Sequence, residues 1–104
     1  MKLHLQFVVT DDDGRDRDLV LVGQYARTLR ALIQAGSKGI TALDVANTWA
    51  LRLGHYVFVL RREHDIDIET RREDHEDVAG KGWHARYLLH TRCKLSGADE
   101  AEAA

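Results

Sequence analysis

The alternation of apolar and polar residues predicts β-strands towards both ends of the chain. Apolar side chains recur at every second position over residues 3–9 and 83–89, and a shorter alternation covers residues 66–71. A period of two is typical of a strand with one buried face. The segment DDDGRD at 11–16 has the Asp and Gly chemistry of a turn, so the first strand is predicted to return over residues 19–22 as an N-terminal hairpin.

A helical spacing of apolar residues replaces this alternation in the middle of the chain. Over residues 24–35 the apolar side chains recur at intervals of three and four and form one stripe, which predicts a helix with one buried face. Gly36 stands where a glycine commonly ends a helix. Leu21 fits the same spacing, so a helix that starts at Asp18 is the alternative to the return strand.

Two more helices are predicted from the signals that start helices. Residues 41–44 have capping-box composition, with a Thr hydroxyl and an Asp carboxylate that can accept hydrogen bonds from free backbone N–H groups. They predict a short helix over 42–47. Thr48 can then cap a third helix that runs to about Glu63.

The predicted order is strand, strand, three helices, strand, strand, with a polar loop at 73–82 inside the last hairpin. This is an α+β fold, the winged helix-turn-helix arrangement of three helices and a C-terminal β-hairpin wing, with an extra N-terminal β-hairpin. We expect residues 1–22 to form the hairpin extension and 23–93 the winged helix domain. Residues 94–104 contain SGADEAEAA, which lacks core-forming residues, and predict a disordered acidic tail.

Composition places the chain among soluble proteins with one domain. It has 104 residues, of which 44% are apolar and 31% charged, as is ordinary for a small globular domain. A lone cysteine cannot form an internal disulfide, which favours a reducing, cytoplasmic location. No apolar run approaches the ~20 residues of a membrane span, so no membrane partner is predicted.

Charge is distributed unevenly along the chain. The formal net charge is −2, yet residues 23–63 carry six basic and two acidic side chains, whereas the flanking segments are acidic. A basic middle region is compatible with binding to a polyanion such as nucleic acid.

The third predicted helix has two distinct sides. One side is apolar and is expected in the core: Trp49, Leu53, Tyr56, Val57 and Leu60. The other side carries polar and basic residues. In helix-turn-helix proteins the N-terminal part of the second helix of the unit enters the major groove, where Arg can bond guanine O6 and N7. The predicted DNA-binding residues are Thr48, Arg52 and His55 facing bases, Asn47 beside them, Arg61, Arg62 and Lys38 at phosphates, and Arg71 and Arg86 on the strands of the wing.

A second hypothesis is a protein-interaction module. Rows of exposed arginines on helices are often only solvated, and the predicted loop of the wing carries four acidic residues against Lys81. An acidic tip would be repelled by phosphate. The wing therefore either points away from DNA or binds a basic protein partner.

Other chemistry has little support in the sequence. His90 and Cys93 have a metal-like spacing, but no second pair completes the four ligands of a structural zinc site. No P-loop, nucleophile elbow or dinucleotide fingerprint occurs. We therefore predict no catalytic residue, no metal and no cofactor, and treat a small enzyme or metal protein as a third alternative.

Residues 24–89 resemble the small winged helix-turn-helix domain often found in bacteriophage and prophage proteins. The matching segments are LRALIQAGSKGIT, LDVAN, RLGHYVFVLR, DIDIET and HARYLL. The resemblance implies a DNA-binding regulator of a phage or mobile element, with Arg52 and Leu53 at that family's Arg-Leu pair. The N-terminal hairpin and the acidic wing depart from the pattern and suggest an added contact. We expect a homodimer that pairs through the N-terminal strand, since an exposed strand edge is a pairing template.

Overall fold

The computed structural model describes residues 3–42, 52–77 and 80–98. Within them the chain forms two α-helices and six strands, an α+β arrangement, in two antiparallel three-stranded sheets. The first sheet has the order β2-β1-β6 and the second the order β3-β5-β4. The elements are β1 (His4–Thr10), β2 (Asp16–Val22), α1 (Gln24–Ala35), a 3-10 turn (Gly36–Lys38), β3 (Ile40–Thr41), α2 (Leu53–His64), β4 (Ile68–Asp77), β5 (Gly80–Leu89) and β6 (Arg92–Ala98).

The predicted N-terminal hairpin is confirmed. Strands β1 and β2 pair from His4↔Val22 to Thr10↔Asp16. Gly14 closes the turn with a positive φ of 84°, a conformation that glycine adopts without steric cost. The alternative of a helix from Asp18 is wrong, because α1 begins only after Gly23.

Strand β6 pairs with the other side of β1, so β1 is the central strand of its sheet. The predicted disordered tail is therefore wrong for residues 94–98, which belong to β6. The predicted dimer contact through β1 is wrong as well. A strand whose N–H and C=O groups bond two neighbours has none left for a third chain.

The second sheet contains the wing. Strands β4 and β5 pair in continuous register from Ile68↔Leu89 to Asp77↔Gly80, and β3 adds two further pairs on β5. Residues 73–77 and 80–82 are therefore strand, and the prediction of a polar loop over 73–82 is wrong for them. The outer part of a projecting hairpin packs against no core, so its sequence needs no apolar face.

The described residues contain two α-helices where three were predicted. The short helix predicted at 42–47 lies, from residue 43 onward, outside the described residues, as does Thr48. The third predicted helix begins at Leu53, because Arg52 before it has non-helical backbone angles of φ −118° and ψ 18°. Both described helices have 12 residues, and neither is long and apolar enough to cross a membrane.

The core lies between the two helices and the inner faces of the sheets. Strand β1 contributes alternate residues, and α1 and α2 each contribute one stripe, as the apolar spacing predicted. The fully buried side chains include Leu5 and Phe7 from β1, Leu29 and Leu32 from α1, and Leu53, Val57 and Leu60 from α2. At the edge of this core Arg17 of β2 donates to the backbone carbonyls of His64 and Asp65, which ties the end of α2 to the N-terminal hairpin.

Candidate nucleic-acid interface

One side of α2 is left exposed by the packing of the other side. Leu53, Val57 and Leu60 are buried against the core. Because an α-helix turns about 100° per residue, residues 55, 58 and 62 lie on the opposite side, and all three are exposed. Arg52, at the start of the helix, is exposed too. We call Arg52, His55, Phe58 and Arg62 the exposed strip of α2.

Three of the predicted DNA-binding residues therefore share one surface. Arg52, His55 and Arg62 belong to the exposed strip, whereas Asn47 and Thr48 lie outside the described residues. Phe58 was not predicted. Its side chain is 53% exposed, and the Arg62 guanidinium carbon lies 5.6 Å from the centre of its ring. The signal for Phe58 was present in the sequence, since its position falls outside the apolar stripe of the helix.

A groove of about 630 Å³ continues from the start of the exposed strip towards α1 and β2. Its lining includes Arg27, Arg52 and His55, and none of the described lining residues is acidic. Tyr25 packs edge-on against Tyr56, with ring centres 5.3 Å apart. The groove is thus positively charged and partly aromatic.

The first turns of both helices border this groove. Gly23, Gln24 and Tyr25 line it from α1, and Arg52, His55 and Tyr56 line it from α2. Neither Gly23 nor Arg52, the residues at the two N-caps, makes a side-chain capping hydrogen bond. The backbone N–H groups of a first helical turn and the helix dipole favour negative charge at such positions, which adds to the attraction of the two arginines for anions.

Arg61 points to the wing rather than to the exposed strip. Its Nε donates to the backbone carbonyl of Ile68 over 2.8 Å, and its Nη2 donates to the same carbonyl and to the hydroxyl of Thr70. The guanidinium therefore joins α2 to β4.

The other predicted cations lie along the wing and at the turn that it contacts. Arg86 donates from Nε to Glu73 Oε2 over 2.7 Å and from Nη1 to the backbone carbonyl of Lys38 over 3.0 Å. Lys38 is exposed in the 3-10 turn. Arg71 is exposed and pairs with Glu69 over 3.0 Å.

Carboxylates of the wing are paired along its strands rather than gathered in a loop. A hydrogen bond from Arg86, and to a smaller extent one from His84, holds the pKa of Glu73 below its ordinary value. A hydrogen bond from His90, and to a smaller extent one from Arg71, lowers the pKa of Glu69. Of the four carboxylates expected at an acidic tip, Glu73 and Asp74 thus pair with arginines of the same two strands.

A row of polar side chains runs along one face of the wing. The Nδ1 atoms of His75 and His84 lie 2.9 Å apart, and His84 Nε2 is 2.9 Å from Glu73 Oε1. Gly82 makes room for this row, because a Cβ there would lie 2.8 Å from His75 Nε2. Cross-strand pairs of this kind stabilise a sheet and explain how a polar segment forms long strands.

Trp83 lies on the opposite face of the wing and is 57% exposed. The apolar alternation over 83–89 predicts a buried face that includes this residue, and that is wrong for Trp83 because the hairpin projects beyond the core at this point. The guanidinium carbon of Arg72 lies 5.0 Å from the centre of the Trp83 ring, a cation–π distance. The wing therefore presents an aromatic and cationic pair of its own.

Metal and thiol chemistry have no site among the residues described. Within 3–42, 52–77 and 80–98 no three His, Cys, Asp or Glu side chains are grouped as metal ligands. Burial raises the pKa of the Cys93 thiol to about 11. Because the thiolate is the reactive form, this cysteine is protonated and unreactive at neutral pH.

Comparison with protein families identifies a family whose model covers most of the chain. The model of a family described as a winged helix domain matches residues 18–99, from within β2 to just beyond β6. No curated protein and no solved structure matches the chain.

Proposed function

The chain belongs to the winged helix domain family, and on this premise we propose that it is a sequence-specific protein that binds double-stranded DNA. It acts without catalysis, as a cytoplasmic regulator of transcription or of a phage or other mobile element. The observation that carries the proposal is the exposed strip of α2, in which Arg52, His55 and Arg62 lie on the side opposite the buried residues.

The dimensions of α2 suit the major groove. A helix of 12 residues is roughly 18 Å long and about 10–12 Å wide with its side chains, and the major groove of B-DNA is about 12 Å wide. Arg52 and His55 are at the N-terminal end of α2, the part of a recognition helix that contacts base edges. In this proposal they read bases, together with Thr48.

Phosphate contacts surround this helix. The groove with Arg27 and the first turns of both helices would hold a phosphate beside α2, and Arg62, Lys38 and Arg71 would hold others. Such contacts position a protein without specifying a sequence. Arg61 and Arg86 donate hydrogen bonds to carbonyls and a carboxylate of the protein itself. We therefore assign them a structural role: Arg61 fixes the wing relative to α2, and Arg86 fixes it relative to the 3-10 turn.

A homodimer on a two-part DNA site completes the proposal. One small domain contacts a limited stretch of duplex, and helix-turn-helix dimers place two recognition helices about one helical turn apart. Subunit contacts must use a surface other than the edges of β1.

Fluorescence anisotropy with a labelled duplex tests the proposal. Binding to random duplex at physiological salt is expected with a Kd of roughly 10⁻⁴–10⁻⁶ M, and tighter at lower salt. On a duplex selected from a random pool, Arg52→Ala should lose about 1–3 kcal/mol of discrimination at one base pair. Arg62→Ala should weaken binding to all sequences and reduce the salt slope by about 1.

The matched control is Arg15→Ala, which removes an equal charge from the 85% exposed side chain in the turn between β1 and β2. It should leave both specificity and salt slope close to the wild-type values. If Arg52→Ala and Arg15→Ala have the same specificity as the wild type, Arg52 does not read a base.

A protein-interaction module is the second candidate. The wing favours it, because Trp83 is 57% exposed and has the exposed charged side chains of Arg72 and Asp74 beside it, and aromatic residues and Arg are enriched at protein interfaces. Absence of duplex binding even at low salt would favour this function over DNA recognition.

A further inference from the structure

Phe58 is the apolar member of an otherwise polar and cationic strip. A single exposed apolar side chain is ordinary on a protein surface, so its exposure alone implies nothing. Its position is informative, because it lies between His55 and Arg62 on the side of α2 that faces away from the core. Any molecule that contacts those two residues along α2 also meets the Phe58 ring.

The ring is held in place by its neighbour. Arg62 follows Phe58 by one helical turn, and its guanidinium carbon lies 5.6 Å from the centre of the ring. Cation–π attraction at this distance favours one arrangement of the pair. Arg62 covers one face of the ring, and the 53% exposure of Phe58 leaves the remainder open to a ligand.

Base edges in the major groove offer one apolar group to such a ring. Guanine, adenine and cytosine present hydrogen-bond donors and acceptors there, whereas thymine also presents its C5-methyl group. A ring that cannot form hydrogen bonds would desolvate donors and acceptors without replacing their bonds. A methyl group is thus the complementary partner.

We infer that Phe58 contacts the C5-methyl group of a pyrimidine in the major groove and makes α2 select a T·A pair at that position. This inference rests on the proposed function. Phe58 is three positions after His55, which corresponds to a rise of about 4.5 Å along the helix axis. One base-pair step is about 3.4 Å. The selected thymine is therefore roughly one step away from the base pair that His55 faces.

The experiment replaces each thymine of a selected duplex, one at a time, with deoxyuridine, which lacks only the methyl group. Affinities are measured by anisotropy with the full chain. For the wild type, one replacement should weaken binding about fourfold, the change expected for one buried carbon group. For Phe58→Ala, the thymine and uracil duplexes should bind equally.

Two controls separate this contact from general effects. Leu95→Ala shortens an apolar side chain that is 39% exposed on β6, and this variant should keep the uracil penalty. A 5-methylcytosine paired with guanine at the sensitive position distinguishes the methyl group from the rest of thymine. Both cytosine duplexes are compared with the thymine duplex. If 5-methylcytosine lowers the affinity less than unmethylated cytosine does, the protein contacts the methyl group.

Each other outcome overturns the inference in a distinguishable way. If the wild type binds a specific duplex but no uracil replacement weakens it, or if Phe58→Ala keeps the penalty, DNA recognition stands and the role of Phe58 is refuted. If no duplex binds at low salt, the proposed function and this inference both fail. If Phe58→Ala changes the sedimentation behaviour and leaves the uracil penalty intact, the ring serves a protein contact instead. Circular dichroism confirms that the variants are folded.

Discussion

Replacement of Arg61 by alanine should weaken the attachment of the wing to α2 and destabilise the fold. Its guanidinium is the link described above between the last turn of α2 and the start of β4, with one hydrogen bond of 2.8 Å to the Ile68 carbonyl and others to the same carbonyl and to Thr70. Ile68 is only 3% exposed. In the alanine variant, water has limited access to the carbonyl that loses its donor.

The expected cost follows from this burial. Leaving a buried acceptor without its partner costs about 1–3 kcal/mol, and hydrogen bonds to a charged group lie in the upper part of that range. For a domain of this size, each kcal/mol lowers the midpoint of thermal unfolding by roughly 4–8 °C. Arg61→Ala should therefore lower the free energy of unfolding by about 2 kcal/mol.

Arg62→Ala is the matched control. Both arginines are in the last turn of α2, so both substitutions remove one positive charge from the same end of the helix dipole. Arg62 loses only its contact with the Phe58 ring, about 0.5–1 kcal/mol at an exposed site. Urea unfolding followed by circular dichroism at 25 °C measures the difference. Equal destabilisation by the two variants would refute the reasoning, since charge rather than the bonds to β4 would then account for the loss.

Two further predictions concern a glycine and the pH dependence of stability. Gly39→Ala should destabilise the fold by about 1–3 kcal/mol more than Gly36→Ala. Both glycines have a positive φ, so both substitutions carry backbone strain of about 1–3 kcal/mol. Only at Gly39 would a Cβ lie 2.6 Å from the Tyr87 carbonyl oxygen, whereas a Cβ at Gly36 would have no atom within 4 Å. Thermal unfolding compares the two variants, and equal losses would contradict the close approach. The lowered pKa of Glu73 means that its ion pair stabilises the fold above the ordinary carboxyl pKa of 4.5, and that this stabilisation is lost as pH falls through the pKa of the folded state. Glu73→Gln should therefore flatten the fall of the urea midpoint below pH 5, and the exposed Glu76→Gln on the same strand should not.

Local sequence patterns predicted the elements that have one buried face. The alternation in β1 and the apolar stripe of α1 each reflect a surface divided between core and solvent, and both elements occur where the pattern indicated. The side of α2 that carries Leu53, Val57 and Leu60 was recognisable for the same reason. Periodicity detects burial on one side, and it is informative wherever such burial occurs.

Elements without a buried face were missed. The outer wing has polar residues on both faces and is held by pairs such as Glu73 with Arg86, so no alternation marked it as strand. Strand β6 is an edge strand of seven residues, RCKLSGA, that ends in small residues, and its residues 94–98 were mistaken for part of a tail. The pairing that makes β1 a central strand depends on that missed strand.

The candidate site could be predicted in part. Exposure of Arg52, His55 and Arg62 follows from the helical repeat once the buried stripe is known. The partners of Arg61 and Arg86 do not, because the Lys38 carbonyl is 48 positions away from Arg86 and becomes its neighbour only when β3 joins β5. Contacts of this kind depend on tertiary structure, to which a local pattern is insensitive.

The pairing of β1 with β6 has a consequence for the order in which the chain folds. Leu5 pairs with Ala98, so one ladder joins residues from the two ends of the described chain. Closing so long a loop is entropically slow. During synthesis the hairpin of β1 and β2, the helices and the wing are all available before β6 emerges, and until then β1 has an unpaired edge. Newly made chains are therefore most susceptible to mispairing with one another in this interval, and a chain cut before residue 92 would retain that susceptibility permanently.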